Sequence, residues 1–177
     1  VLPEVFLDRI SFISQRYKHN ALLASWNMIG SHDTSRFLTR QNGSIRRFKA
    51  GIVLQFMLPG SPFIYYGDEI GMEGGADPDN RRKFNWDIST WNHDILAFYK
   101  RLINLRKKYP ALRYGKFSRI TPVKSKDITA FSRFLGDEQI DIYINTSFQE
   151  RSLHVAHGKL ITDIIDAEVT DGDGGIS

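Results

Sequence analysis

Residues 27–36, with the sequence NMIGSHDTSR, decide how the rest of the chain is interpreted. They continue an apolar run at 21–29 that predicts a buried strand, and Gly30 with Ser31 predicts a turn at the end of that strand. His32 and Asp33 then stand together where a strand meets a loop. Two interpretations fit the pair: a polar functional site, or a solvated turn whose side chains cap the next helix.

A second stretch, residues 58–72 (LPGSPFIYYGDEIGM), repeats this layout. Residues 63–66 are nearly all apolar or aromatic and predict a short buried strand, and the glycine-punctuated acidic residues after them predict a loop. Between the two strands, residues 44–57 carry apolar side chains at helical spacing and predict a helix. Strand, polar loop, helix, strand and polar loop together predict a β/α architecture.

Two further stretches predict amphipathic helices at either end of this region. Residues 2–17 and 94–108 each carry apolar side chains on one face, and Pro3 fits the first turn of the former. Pro110 cannot continue a helix, so the second helix is expected to stop before it. Trp26 is expected in the core, with contact to a sugar as the alternative.

From Tyr114 onward, apolar residues alternate with a period of two, which predicts strands. Residues 129–135 and 139–145 are separated by a short glycine-containing turn and predict a β-hairpin. Further strands are expected at 151–155 and 159–165. These strands together predict an antiparallel sandwich that follows the β/α region.

Three ordered motifs resemble the α-amylase superfamily of glycoside hydrolases, and more narrowly its neopullulanase, cyclomaltodextrinase and maltogenic amylase branch. They are GSHDT at 30–34, PGSPFIYYGDEIGM at 59–72 and DPDNRR at 77–82. The resemblance implies a fold that combines α/β and all-β parts. Residues 1–111 would form the last two β/α units of a (β/α)8 TIM barrel, and residues 112–177 an antiparallel β-sandwich domain that lacks its last strand.

Length and charge limit the classes of protein to which the chain could belong. The chain has 177 residues, whereas a complete (β/α)8 barrel usually needs about 250. We therefore expect the C-terminal part of a larger enzyme. The formal net charge is +4, but the basic residues fall mostly in predicted helices and accompany no nucleic-acid-binding motif. No nucleic-acid partner is expected, and without a long apolar stretch no membrane partner is expected either.

Metals and disulfides find little support in the sequence. The chain has no cysteine, which excludes disulfides and thiolate metal sites and fits a cytoplasmic location. Residues 171–175 (DGDGG) predict a turn whose partner strand has been cut away, and they lack the length and final Glu of a calcium loop. No metal site or cofactor is expected on this segment, and calcium is left open for the parent enzyme.

Retaining glycosidases use a carboxylate nucleophile and a carboxylic acid about 5 to 5.5 Å apart. The resemblance implies that Asp33 is a third acid, which stabilises the transition state, and that His32 hydrogen-bonds hydroxyls of the same sugar ring. Motifs for the nucleophile and the acid are absent from the 177 residues. The resemblance gives Asp68 and Glu69 a structural role at the rim rather than a catalytic one.

The resemblance also implies that Asp77 and Arg81 bind a maltooligosaccharide or cyclodextrin substrate away from the cleavage point. Their spacing equally fits a salt bridge that braces the loop. One departure concerns Lys83 and Phe84, which stand where the family often carries Pro-Met; it leaves the shape of the outer sugar-binding subsites open.

The expected function is hydrolysis of α-1,4 glucosidic bonds in maltodextrins, cyclodextrins or pullulan by the parent enzyme, with α-1,6 bonds left open and the fragment alone inactive. A non-catalytic carbohydrate-binding module is the alternative, and a scaffold domain without a ligand is a third interpretation. Two parallel strands without the rest of a barrel would leave unpaired edges, so a homo-oligomer that covers them is also expected unless the chain is a cut piece.

Overall fold

The computed structural model describes residues 3–121, 127–147, 149–154, 169–170 and 175–176. These residues form a helical β/α region followed by short antiparallel sheets. The elements are α1 (Pro3–Arg16), α2 (His19–Ala24), β1 (Trp26–Met28), α3 (Phe37–Arg40), α4 (Ile45–Met57), β2 (Ser61–Phe63), three single 3-10 turns (Asp68–Ile70, Asp79–Arg81, Ile88–Thr90), α5 (His93–Lys108), α6 (Pro110–Tyr114), β3 (Lys116–Arg119), β4 (Ile128–Leu135), β5 (Glu138–Asn145), β6 (Leu153–His154), β7 (Val169–Thr170) and β8 (Gly175–Ile176).

Strands β1 and β2 pair in parallel, with Asn27 opposite Pro62, and α3 and α4 connect them. The predicted strand at 21–29 is wrong over its first half, because good helix formers at 21–24 instead build the end of α2. The second strand lies at Ser61–Phe63 rather than 63–66. It ends at Phe63, opposite the last residue of β1, so the residues after it find no partner in that strand.

Helix α4 confirms the helix predicted between the strands. The side chain of Ser44 accepts a hydrogen bond from the backbone N–H of Arg47 and caps its start. The helix then turns Phe48, Ile52 and Phe56 completely into the core.

Two amides fasten the end of α4 to the strands. The Gln55 side chain donates to the carbonyls of Asn27 and Phe63, one in each strand, at 3.2 and 2.6 Å. In return, the Asn27 side chain donates to the carbonyls of Gln55 and Leu58. The pair therefore fixes the end of α4 against both strands, including the edge from which the polar loops leave.

Trp26 does not lie in the core. Its side chain is 67% exposed and stacks on the ring of Phe63, with 5.1 Å between centroids. The core expectation for Trp26 is wrong because, among the described residues, β1 hydrogen-bonds only to β2, and the contact with Phe63 leaves most of the indole exposed.

The two terminal helices of the β/α region are confirmed at Pro3–Arg16 and His93–Lys108. Asn92 caps α5 by accepting a hydrogen bond from the backbone N–H of Ile95. Pro110 does follow the end of this helix, but it also begins α6, since proline lacks only an N–H that a first helical turn leaves unpaired. No helix in the described part of the chain is long and apolar enough to cross a membrane.

The predicted hairpin is confirmed as β4 and β5, which pair in antiparallel register with Leu135 opposite Glu138. Gly136 adopts a left-handed φ of 57° in the turn. Strand β3 pairs with the other edge of β4, and α6 packs on both strands of the hairpin. One hydrophobic core therefore spans helices and sheet: Leu7, Leu38, Phe48, Ile52, Phe56, Met57, Ile95, Phe98, Tyr99, Leu102, Ala111, Leu112, Phe131, Ile140, Ile142 and Ile144.

Two arginines contact the end of α4: Arg133 of the sheet, which is completely buried, and Arg106 of α5, which is partly buried. Arg106 on α5 donates to the carbonyls of Phe56 and Gly60, and Arg133 on β4 donates to those of Met57 and Gly115. Both cations face the negative end of the α4 dipole. Burial lowers the pKa of Arg133 to about 9 and that of Arg106 to about 10.

A second antiparallel sheet has the strand order β6-β8-β7. The expectation that the turn at 171–175 has lost its partner strand is wrong, because β8 follows the turn residues and pairs with β7, with Thr170 opposite Gly175. The strand predicted at 151–155 is present as the shorter β6. The strand predicted at 159–165 and the turn residues 171–174 lie outside the described residues.

Candidate functional site

The His-Asp turn follows β1 directly, as the sequence predicts. The Nε2 atom of His32 lies 3.1 Å from Oδ1 of Asp33, and the two side chains are 64% and 72% exposed. Helix α3 begins at Phe37 with Arg36 as its N-cap residue and without a side-chain cap. The pair therefore forms a solvent-facing polar corner, and the alternative in which Asp33 or Thr34 caps the next helix is wrong.

The loop after β2 is fastened to the back of this corner. Asn80, which is completely buried, donates from its side-chain amide to the carbonyls of His32 and Thr34 at 2.7 and 2.9 Å. Nε of Arg81 also donates to the carbonyl of His32, at 3.2 Å. Parallel strands end at the same edge of their sheet, which is why these loops meet there.

Asp77 and Arg81 form a half-exposed ion pair in this loop, with 3.0 Å between Nε and Oδ1. This contact is the bracing salt bridge that the spacing allows. Because Arg81 also contacts the backbone of His32, the predicted substrate-binding pair lies beside the predicted catalytic pair. The four site residues predicted from the sequence, His32, Asp33, Asp77 and Arg81, thus lie together at one rim.

Arg36, which follows the His-Asp turn, contacts two parts of the loop after β2, residues 65–68 and Asn80. Its guanidinium donates to the carbonyls of Asn80, at 2.9 Å, and Tyr66, and to the carboxylate of Asp68, at 3.3 Å. It also lies over the rings of Tyr65 and Tyr66, 4.2 and 4.5 Å from their centroids. The side chain is almost completely buried. Through these contacts a single cation joins the His-Asp turn to both parts of the loop after β2.

The Asp68 carboxylate is buried with Arg36 and does not reach the rim. Burial raises its pKa to about 6, although the charge of Arg36 acts in the opposite direction. Oδ2 has no hydrogen-bond partner among the described residues. The preceding Gly67 has a left-handed φ of 87°, and a Cβ there would collide with the Met72 side chain. This geometry fits the structural role that the resemblance gave to Asp68.

Sequence reasoning missed Arg36 and Asn80. Asn80 lies inside the motif at 77–82 and Arg36 two residues after the motif at 30–34, yet exposed and buried polar residues look alike in a sequence. The only available signal was position: Arg36 follows the His-Asp pair closely, and Asn80 lies between Asp77 and Arg81. Among the residues that the structure describes, no three His, Asp or Glu side chains lie close enough to hold a metal ion.

Comparison with known proteins places this fold and rim in a family. Residues 4–90 match the family described as "Alpha amylase, catalytic domain". The chain belongs to the alpha-amylase family, in the branch that includes enzymes named cyclomaltodextrinase, neopullulanase and maltogenic amylase.

Individual relatives are similar over most of this chain. The cyclomaltodextrinase of Geobacillus thermopakistaniensis is 36% identical over 92% of this chain and 28% of its own length. Neopullulanase 2 of Thermoactinomyces vulgaris is 34% identical over 90% of this chain and 28% of its own. The crystal structure of maltogenic amylase from S. marinus superposes with a TM-score of 0.78 and 36% identity over 86% of this chain and 22% of that chain. The chain thus spans about a quarter of the length of these relatives.

Proposed function

We propose that the chain supplies the sugar-binding rim of a retaining glycoside hydrolase that cleaves α-1,4 glucosidic bonds of maltodextrins, cyclodextrins or pullulan, with α-1,6 bonds left open. The observation that carries this proposal is the exposed His32–Asp33 corner, held against the Asp77–Arg81 loop through Asn80. The names of the relatives, cyclomaltodextrinase and neopullulanase, support the substrate class. In this proposal residues 1–111 are the last two β/α units of a barrel and 112–177 a β-sandwich domain.

Asp33 would stabilise the transition state. A carboxylate can accept hydrogen bonds from two sugar hydroxyls, and such charge-assisted bonds strengthen as the reacting ring flattens and gains positive charge. His32 would donate a hydrogen bond to a hydroxyl of the same ring, with its orientation set by the 3.1 Å contact to Asp33.

Asp77 and Arg81 would bind sugar units farther from the cleavage point. Their ion pair holds each group in place, so less side-chain freedom is lost when a sugar hydroxyl binds. The carbonyl of His32 accepts a hydrogen bond from Arg81. The groups that bind the reacting ring and those that bind the more distant sugar units would therefore be held in a fixed arrangement.

The reaction also needs a nucleophile and a general acid, and this chain offers no motif for either. The 177-residue chain alone is therefore proposed to be inactive. Incubation of the pure chain with γ-cyclodextrin should release neither glucose nor maltose, and measurable release would refute this part of the proposal.

Calorimetric titration with maltotriose tests the sugar-binding rim directly. We expect millimolar binding that Asp33→Ala abolishes, whereas Asp137→Ala, an exposed change in the β4–β5 turn, leaves it intact. The rival carbohydrate-binding module would instead use the sheet. Binding lost on Tyr143→Ala, a half-buried residue on the outer face of β5, would favour that module. Absence of binding would favour a scaffold domain.

Three further expectations are part of the proposal. A cytoplasmic location would be tested by cell fractionation, and a homo-oligomer by the chromatography described below. Calcium, if the parent enzyme uses it, is expected to bind outside this segment, and titration of the chain with Ca²⁺ should then leave its melting temperature unchanged.

A further inference from the structure

Three aromatic side chains form a cluster just beyond the Asp77–Arg81 loop. The ring of Phe84 lies at the centre, 4.6 Å from that of Trp86 and 5.9 Å from that of Trp91, measured between centroids. Phe84 and Trp91 are partly buried, but Trp86 is 79% exposed. The cluster therefore presents one indole to solvent on an aromatic support.

Hydrogen bonds fix the backbone around this cluster. The indole N–H of Trp91 donates to the carbonyl of Asn85 at 2.8 Å, and the Asn85 side chain donates to Thr90 and accepts from the backbone N–H of Asp87. Asp87 in turn accepts from Ser89 and caps the following 3-10 turn. The backbone that carries Trp86 is thus held by hydrogen bonds on either side of it. Little conformational entropy of this segment would be lost when a ligand packs on the indole.

The cluster is joined to the proposed sugar-binding rim. Arg82 pairs with Asp79 at 2.6 Å, and its carbonyl accepts from the Tyr66 hydroxyl at 2.9 Å, which fixes the start of the segment. Trp86 follows four residues later, so its Cα lies within about 14 Å of that of Arg82.

The chemistry of an exposed indole at this place matches a sugar ring. A glucopyranose has an apolar face of C–H groups and a polar edge of hydroxyls, and an aromatic ring covers the former without competing for the latter. Asp87, which directly follows Trp86 in the chain, is exposed, and so is Lys83, three positions before that tryptophan. Phe84 stands where the family often carries Met, so the aromatic support is a feature of this chain.

We propose that Trp86, supported by Phe84, is a stacking platform for a glucose unit of an α-glucan outside the reacting ring. This inference rests on the proposed function and extends it. Trp86 would then make binding depend on the length of the oligosaccharide. Long maltooligosaccharides reach both the His32–Asp33 corner and the platform, whereas maltose reaches only one of them.

The test is titration of the 177-residue chain with maltoheptaose and with maltose, followed through the ¹⁵N-labelled indole N–H signals. Trp86→Phe assigns the signal and should keep most of the binding. Trp86→Ala should weaken maltoheptaose binding about tenfold, the effect of losing one well-packed aromatic anchor, and leave maltose binding unchanged. Phe84→Met should give a smaller loss. Trp26→Ala is the matched control, since Trp26 is also exposed and stacked on a phenylalanine.

The outcomes separate this inference from the proposed function. If Asp33→Ala abolishes binding and Trp86→Ala changes nothing, the platform is wrong and the proposed function stands. If Trp86→Ala weakens binding of maltoheptaose and Asp33→Ala does not, the platform stands and the role of Asp33 falls. An equal loss with Trp26→Ala, or no shift of any indole signal with either sugar, overturns the platform.

Discussion

Arg36 and Asp68 form a buried ion pair, with 3.3 Å between Nη1 and Oδ1 and at most 1% of either side chain exposed. The pair joins the segment after β1 to the segment after β2. It therefore lies under the rim on which His32, Asp33, Asp77 and Arg81 meet, and the stability of that rim depends on it.

Arg36→Met should lower the free energy of unfolding by about 3–5 kcal/mol, because it leaves the Asp68 carboxylate buried without its cation. Urea denaturation followed by circular dichroism measures the change. Arg119→Met is the control: Arg119 pairs with Asp8, which is largely exposed, and loss of such a pair should cost no more than about 1 kcal/mol. Equal effects of the two substitutions would contradict a central role for Arg36.

The stability of the protein should depend on pH through Asp68. Its pKa in the folded state is about 6, above the ordinary value of 3.8, so the folded protein binds more protons between these values. The stabilising contribution is complete below pH 3.8 and falls as pH rises through 6, by about 3 kcal/mol in total. Relative to Asp68→Asn, the wild-type free energy of unfolding should therefore decrease from about pH 4 to pH 7. A difference that stays flat or increases would contradict this.

Asn80→Ala should loosen the His-Asp corner from the loop behind it. The substitution removes the donors to the carbonyls of His32 and Thr34 and should cost about 1–3 kcal/mol of stability. Titration with maltotriose should then show weaker binding at temperatures where the variant is still folded. Asn104→Ala, an exposed change on α5, serves as the control. Unchanged binding by a folded Asn80→Ala variant would show that the corner is positioned without Asn80.

Arg133→Met should weaken the junction between the sheet and α4. Its guanidinium donates to the carbonyls of Met57 and Gly115 at 2.7 and 2.8 Å, and hydrogen bonds from a charged donor contribute about 1.5–3 kcal/mol each. Arg133→Lys should rescue little, because an ammonium lacks the planar fork that reaches both carbonyls. Thermal unfolding measures both variants, and full rescue by lysine would contradict the bidentate role.

The chain should self-associate. Val5, Phe12 and Ile13 expose apolar surface on α1, and Trp26 and Met28 expose it on β1. Size-exclusion chromatography at several concentrations should show species larger than a monomer, and Phe12→Ser should shift them toward the monomer. A clean monomer over the whole range of concentrations would count against this prediction.

Short-range patterns were enough to predict much of the fold. The apolar spacing at 44–57 predicted α4, the alternation on either side of Gly136 predicted the β4–β5 hairpin, and both are confirmed. The His-Asp corner was also placed correctly after the first strand. These features depend on residues within about ten positions of one another, where helix spacing, strand alternation and turn chemistry act.

The sequence by itself thus determined the three long helices α1, α4 and α5, the β4–β5 hairpin and the motifs that mark the family. Only the tertiary structure decided that residues 21–24 are helical and that Trp26 is exposed, because an apolar run fits either a strand or a helix until its neighbours are in place. Only the tertiary structure showed that Arg36 pairs with Asp68 and that Asn80 supports His32. These contacts join residues 32 and 48 positions apart, and the burial that makes them strong exists only once the chain has folded.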